Sequence, residues 1–306
     1  MKARKRTGAK VPGKTMTSPA LSLRALLTDL IDYAGLFPPA NLGMAEAVRN
    51  YRDYLSSHTA WMLGRFIVSA SRLRELESEL AGIGNASLWE VSCLVGEDAQ
   101  AGLREIERFN HRNANARAIV DTIEVRSTSL DFIGGLSDKV TTYIEVLPDA
   151  SRKQLQWMGE IGARAKIRTG GVIPEAIPSS AAIAGFLVNC AAAGAGFKAT
   201  AGLHHPVRSS RALTYEPDAP RATLHGFLNL FLAAALARRG ASAVDLAAVL
   251  DLEETEGLHF GDDRTRWDDL VLTAEAIRET REQFAISFGS CSFEEPVEDL
   301  KELHLL

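Results

Sequence analysis

The sequence predicts an α/β protein of the (β/α)8 class, a TIM barrel, with an extra helical insertion between its seventh and eighth strands. Three observations predict it. Short apolar runs alternate with helical stretches from residue 65 to residue 206, the pattern of a parallel sheet covered by helices. Adding the run near Asp32 and a last strand at 284–288 gives eight strands, each followed by helix. The length of 306 residues suits one barrel with insertions, since the fold takes about 250 residues in its plain form. No Rossmann or P-loop glycine fingerprint is present, which disfavours an open nucleotide-binding sheet.

Residues 1–20 stand apart from the domain at 21–306. Lys2, Arg4, Lys5, Arg6, Lys10 and Lys14 occur there without an acid among the first fourteen positions. A disordered basic tail is expected, since no apolar run follows to make a signal peptide; Met16 reads as an alternative chain start. Residues 21–33 form an apolar, partly helical run that ends in Ile31-Asp32-Tyr33-Ala34-Gly35-Leu36-Phe37-Pro38-Pro39. The prolines stop regular structure, and helical spacing resumes over 44–56. Strands at 65–68, 88–95, 118–125 and 141–147 then alternate with helices at 73–81, 99–110 and 152–161 and a short helix or turn at 131–136. Two lysine-bearing strands follow, around a helix at 178–193. Helical stretches at 221–239, 243–250 and 267–283 form the insertion before the last strand. Three helices leave the chain running down, up and down, so the connection 253–266, with His259, Asp262 and Asp263, returns to the carboxyl face as a lid candidate.

Composition narrows the partners. A formal net charge of -5 and a pI near 5.9 give no general attraction for nucleic acid. No charge-free apolar run of about 18 residues suggests a membrane span, and 226–237 is too short, reading as a core helix or a contact between copies in a homo-oligomer. Cys93, Cys190 and Cys291 are too few and too scattered for a zinc knuckle or a disulfide framework. A small-molecule substrate, no cofactor and a reducing cytoplasm are the expectation.

The chemistry gathers around Lys166 and Lys198. Each lysine lies inside an apolar or small-residue run, Ala165-Lys166-Ile167-Arg168-Thr169-Gly170-Gly171 and Phe197-Lys198-Ala199-Thr200-Ala201-Gly202. A buried ammonium needs an acid beside it or a lowered pKa, and a lysine with a lowered pKa can attack a carbonyl. Glu90, Glu124 and Glu145 each sit between apolar neighbours on their strands, so alternation turns all three toward the barrel interior. An inward Glu or Lys is also what a structural ion pair requires. His204 and His205 end one lysine strand, with His225 and His259 further on. Adjacent histidines on an extended segment point apart, so substrate oxygens or loop carbonyls suit them better than a metal. Gly289, Ser290 and Ser292 leave the last strand, where barrel loops often bind phosphate. Cys291, without a base nearby in sequence, reads as an inert thiol.

These residues resemble the deoxyribose-phosphate aldolase family of class I aldolases. Lys166-Ile167-Arg168-Thr169-Gly170 is similar to that family's Lys-x-x-Thr-Gly strand, and Phe197-Lys198-Ala199-Thr200-Ala201-Gly202 to the following strand with its second lysine. Ile31-Asp32-Tyr33-Ala34-Gly35-Leu36-Phe37-Pro38 resembles the opening segment. The resemblance implies an imine at Lys166 tuned by Lys198, and a proton-moving acid on the fourth strand, matched by Asp121 in sequence while alternation favours Glu124. His204-His205 has no counterpart in that motif.

The leading expectation is therefore a carbon–carbon lyase acting on a small carbonyl compound. Lys198 would hold down the Lys166 pKa by like-charge repulsion. Glu124 or Asp121, with Glu145, would move protons. Asp32, Glu90, Arg168, Thr169, Gly170, His204, His205, Arg208, Gly289, Ser290 and Ser292 complete the substrate-binding set, Arg168 and Arg208 meeting an anionic group. An enolase-type alternative places Mg2+ on Glu90, Glu124 and Glu145, with Lys166 as base and His204 as its partner. A non-catalytic barrel that binds a small anion is the third reading.

Overall fold

Burial and strand pairing account for the barrel before any helix is considered. In the computed structural model, which describes residues 18–82, 88–113, 117–126 and 140–306, seven strands follow one another: β1 (Ile31–Tyr33), β2 (Leu63–Ser69), β3 (Trp89–Val95), β4 (Ala118–Val125), β5 (Thr141–Val146), β6 (Ala163–Arg168) and β7 (Phe197–Thr200). An insertion then carries a hairpin of β8 (Ser209–Ala212) with β9 (Arg221–Leu224), and a small antiparallel sheet of β10 (Leu258–Phe260), β11 (Arg264–Trp267) and β12 (Leu270–Thr273). The eighth barrel strand is β13 (Ala285–Ser290), which pairs with β7 and closes on β1, every barrel pairing being parallel. The expected TIM barrel is the observed fold. The expected basic tail and the 131–136 segment lie wholly or mainly outside the described residues.

Helices cover the strands through faces that the sequence spaces at one turn. In α1 (Leu21–Leu27), Leu23, Leu26 and Leu27 are buried. In α2 (Met44–Leu55) the buried set is Met44, Ala47, Val48 and Tyr51, and in α3 (Leu73–Ala81) it is Leu73, Leu76 and Leu80, the spacing of a single helical stripe. The layer continues with α4 (Ala99–Asn113) and α5 (Arg152–Glu160), the latter capped by the Ser151 hydroxyl accepting from the Gln154 amide. α6 (Ser180–Ala193) is capped by Ser179 and closed by Gly194 in the left-handed region, φ 66°. The segment Pro174–Ala193 is apolar and long enough by composition to cross a bilayer; its residues 180–193 are a barrel helix packed against α5 and the insertion.

The insertion differs from expectation in kind. Its helices are α7 (Phe227–Arg238), α8 (Ala243–Leu250) and α9 (Ala274–Gln283), but 221–224 and 267–273 are largely strand where helix was expected. Helical spacing in those two short stretches is too brief to outweigh antiparallel pairing with β8 and β11. The helix at 226–237 belongs to the core: Leu228, Leu230, Phe231 and Leu232 are buried within the chain, α7 packing against α6, α8, α9 and β13. The chain does return to the carboxyl ends after α8, where Asp251 and Glu253 meet Arg208. It then turns outward, Gly261 and Asp262 binding the start of α1. A final helix, α10 (Glu294–Glu302), follows β13 directly.

Candidate active site

Strand register brings the charged residues together. Glu145 on β5, Lys166 on β6 and Lys198 on β7 are successive register partners, so their side chains share one layer of the barrel interior. Glu124 reaches the same layer from β4 and Asp32 from β1. The result is a chain of alternating charge. Lys198 Nζ lies 2.7 Å from Asp32 Oδ2 and 2.6 Å from Glu124 Oε1. Lys166 Nζ lies 2.7 Å from Glu124 Oε2 and 3.2 Å from Glu145 Oε2. Glu124 thus bridges the two lysines.

The surrounding hydroxyls finish the deep end. Ser92 Oγ donates to Glu124 Oε1 at 2.7 Å, and Ser287 Oγ donates to Asp32 Oδ2 at 2.7 Å. Asp32 Oδ1 also accepts from the Arg65 amide at 2.8 Å. Every carboxylate at this depth is therefore paired and hydrogen-bonded, the condition under which buried charge is tolerable. Burial alone would raise the Glu124 pKa, yet Lys166 and Lys198 outweigh it and hold the carboxyl well below the usual range. Burial likewise works against the Lys198 ammonium, and Asp32 and Glu124 overcome it, leaving its pKa above that of an ordinary lysine. The expectation that Lys198 acts on Lys166 by direct repulsion gives way to this arrangement, in which a shared carboxylate lies between them.

The two lysines differ in access. A cavity of about 1250 Å3 opens at the carboxyl ends and is bordered by Lys166, Glu124, Glu145, Arg126 and Arg168, but not by Lys198 or Asp32. Lys198 and Asp32 side chains are each 1% exposed, beneath the cavity floor. Glu145 joins the floor to the rim: its Oε1 accepts from Arg126 Nε at 3.0 Å and lies 3.9 Å from Arg168 Nη1. Its Oε2 is buried and, among the described residues, takes no hydrogen bond, standing out of line with Lys166. That oxygen can accept from a substrate hydroxyl.

Several expected site residues lie elsewhere, each for a geometric reason. Glu90 faces inward near the start of β3, four residues before Leu94, which borders the cavity. At about 3.3 Å per residue it is some 13 Å toward the amino-end mouth, where it stands 3.4 Å from Arg65. Asp121 joins it there, gripping Arg65 by two hydrogen bonds of 2.8 and 2.7 Å. A register shift between β3 and β4 leaves Asp121 without a partner, Val91 pairing with Val120 and Ser92 with Thr122. Glu90, Glu124 and Glu145 accordingly do not converge, and among the described residues no three metal-ligating side chains cluster. Asp32 serves Lys198 rather than the substrate. Arg208 is occupied by Asp251, Glu253 and Ser180 outside the cavity.

Thr169 and Gly170 shape the floor instead of contacting its contents. Thr169 Oγ1 donates to the Ala201 carbonyl at 2.7 Å, and a Cβ on Gly170 would come within 2.9 Å of Gly202 Cα, so the ends of β6 and β7 touch through glycine. Gly289 borders the cavity. Ser290 and Ser292 turn to the chain itself, Ser292 Oγ accepting from the Glu295 amide. His204 and His205 border the cavity, each holding an acid of α10: His204 Nδ1 lies 2.7 Å from Glu295 and His205 Nδ1 2.6 Å from Asp299. Burial works against the His204 cation, but Cys291 and Glu295 raise its pKa to about 10. His225 is buried against the Pro178 carbonyl, and neither it nor 253–266 borders the cavity.

The covering segment expected as a lid at 253–266 is absent from the cavity, whose outer wall comes from the β8–β9 hairpin through Arg211, Leu213, Tyr215 and Arg221. Sequence reasoning missed this hairpin, and it missed Ser92, Ser287 and Arg126. Ser92 had a signal, standing one same-face step from Glu90. Neither a protein-family model nor a curated protein matches the chain, so its functional reading rests on this geometry.

Proposed function

We propose that the protein is an aldolase-like enzyme that forms an imine between Lys166 and a small carbonyl substrate and makes or breaks a carbon–carbon bond. The observation that carries the reading is Lys166 itself: a lysine at the floor of an open-mouthed cavity, held between Glu124 and Glu145, with a second lysine paired beneath. Glu145 accepts the proton that frees the Lys166 amine, and the amine adds to the carbonyl carbon. The carbinolamine oxygen leaves as water with a proton returned from the carboxylic acid. In the cleavage direction a carboxylate takes the proton of the β-hydroxyl, the carbon–carbon bond breaks, and its electron pair enters the enamine. Protonation of the enamine carbon and hydrolysis then restore the lysine. Lys198 keeps Glu124 ionised and fixed, so it positions the proton-moving groups without meeting the substrate. Arg126 and Arg168 suit a substrate carrying an anionic group.

Borohydride reduction in the presence of short aldehydes, ketones and 2-oxo acids tests the reading. A stable adduct on Lys166, absent in Lys166→Met, is the expected outcome; an adduct on Lys198 alone reverses the assignment.

A further inference from the structure

A second group of reactive side chains borders the same cavity, and no hydrogen bond or ion pair joins it to the lysine chain among the described residues. Cys291, one residue past β13, presents Sγ 3.8 Å from His204 Nε2. The other ring nitrogen, His204 Nδ1, lies 2.7 Å from Glu295 Oε2 in the first turn of α10. Tyr215, from the β8–β9 hairpin, donates to the same carboxylate oxygen at 3.2 Å and lies 3.6 Å from Sγ. Three stretches of chain, around 204, 215 and 291–295, thus meet at one thiol.

The order thiol, imidazole, carboxylate is what a nucleophilic cysteine requires. The carboxylate fixes the tautomer and supports a positive ring, and the far nitrogen takes the thiol proton. A thiol at the edge of a cavity beside a cation is also reactive where a buried one is not. All three cysteines are largely buried, but Cys93 and Cys190 are wholly so and burial pushes both thiols up, whereas Cys291 is 6% exposed and borders the cavity. Cys291, Glu295, Tyr215 and His204 all border the cavity. In sequence Cys291 lacks a neighbouring base; the fold brings His204 to it across 87 residues.

We propose that Cys291, His204 and Glu295 form a second catalytic centre that hydrolyses activated acyl groups, esters or thioesters, admitted to the same cavity. The proton shared by Cys291 and His204 lies on Nε2, and the Cys291 sulfur adds to the acyl carbon as the thiolate. The bond from that carbon to the leaving oxygen or sulfur breaks, and His204 protonates the departing alcohol or thiol. Water then adds to the acyl-cysteine, giving its proton to the now neutral His204; the carbon–sulfur bond breaks, the carboxylic acid leaves, and the sulfur–imidazolium pair is restored. The sum is one acyl ester plus water giving one acid plus one alcohol, with no redox partner. This centre does not depend on imine formation at Lys166.

The probe is p-nitrophenyl acetate added to the full chain, read by nitrophenolate release and peptide mass mapping. An initial burst of about one equivalent per chain is expected, with acetyl on Cys291 that hydroxylamine removes. Cys291→Ala abolishes the burst, His204→Asn slows it by about 10²- to 10⁴-fold, and Cys190→Ala leaves it intact. A measurement without substitution guards against a misfolded variant: iodoacetamide should alkylate Cys291 in the native protein at least about tenfold faster than Cys93 or Cys190. Acetyl found only on amines, a burst that survives in Cys291→Ala, or equal alkylation of the three thiols overturns the proposal.

Discussion

At the scale of single residues the protein holds its charge by strict alternation. Asp32, Lys198, Glu124, Lys166 and Glu145 each meet a neighbour of opposite sign, so removing one leaves its neighbours with fewer opposite charges in a buried place. Lys198→Met leaves Asp32 and Glu124 without the ammonium that lies between them. The expected cost is about 3–5 kcal/mol of folding stability, measured by urea unfolding, since Lys198 is fully buried. Glu124 makes a pH prediction. Its folded pKa is depressed, so its contribution to stability is complete above the ordinary glutamate range and is lost as pH falls below it. Glu124→Gln should flatten the acid limb of a stability curve below about pH 4.5; an unchanged acid limb would mean that the carboxylate is not the paired group described here. The lysines and Glu124 were legible because charge inside an apolar run is conspicuous. Asp121 was not, because a register shift of one residue is invisible to strand alternation.

At the scale of elements, the barrel strands and the helices that cover them were readable and the insertion was not. Parallel strands buried on both faces leave short apolar runs, and Lys166 and Lys198 stand out against them. The β8–β9 hairpin has no such pattern: Ser209 to Ala212 are largely exposed and polar, so nothing in their period separates strand from loop. Its contribution is to the cavity wall. Replacing residues 210–223 with a short glycine–serine link should leave the barrel's circular dichroism intact and lower the rate of borohydride trapping by removing Tyr215, Arg211 and Leu213 from the wall. A second element-level prediction concerns the glycine contact between strand ends. Gly170→Ala drives a methyl into Gly202 and should cost about 1–3 kcal/mol, with slower trapping because Lys166 is held four residues before that contact.

At the scale of the molecule, one arrangement serves both proposed centres. The closed barrel fixes the lysine layer from five strands, while the chain segments beyond the strand ends carry Cys291, His204, Glu295 and Tyr215 to the rim. Core and site are separable in this design. Phe231 is buried in α7 against Phe288, and Phe231→Ala should lower stability by about 3–5 kcal/mol while leaving the trapped residue the same. Fold class was legible across the whole chain because eight strands in order admit few topologies; the pairing of His204 with Cys291 was not, because it depends on how β7 and β13 lie side by side.

The most direct measurement is intact-mass and peptide mass spectrometry of the full chain after borohydride reduction with a panel of short aldehydes, ketones and 2-oxo acids. A single reduced adduct on Lys166, lost in Lys166→Met and retained at reduced rate in Lys198→Met, is the expected result. A folded protein that yields no adduct with any member of the panel, or one whose adduct lies on a surface lysine and persists in Lys166→Met, would contradict imine chemistry at this site.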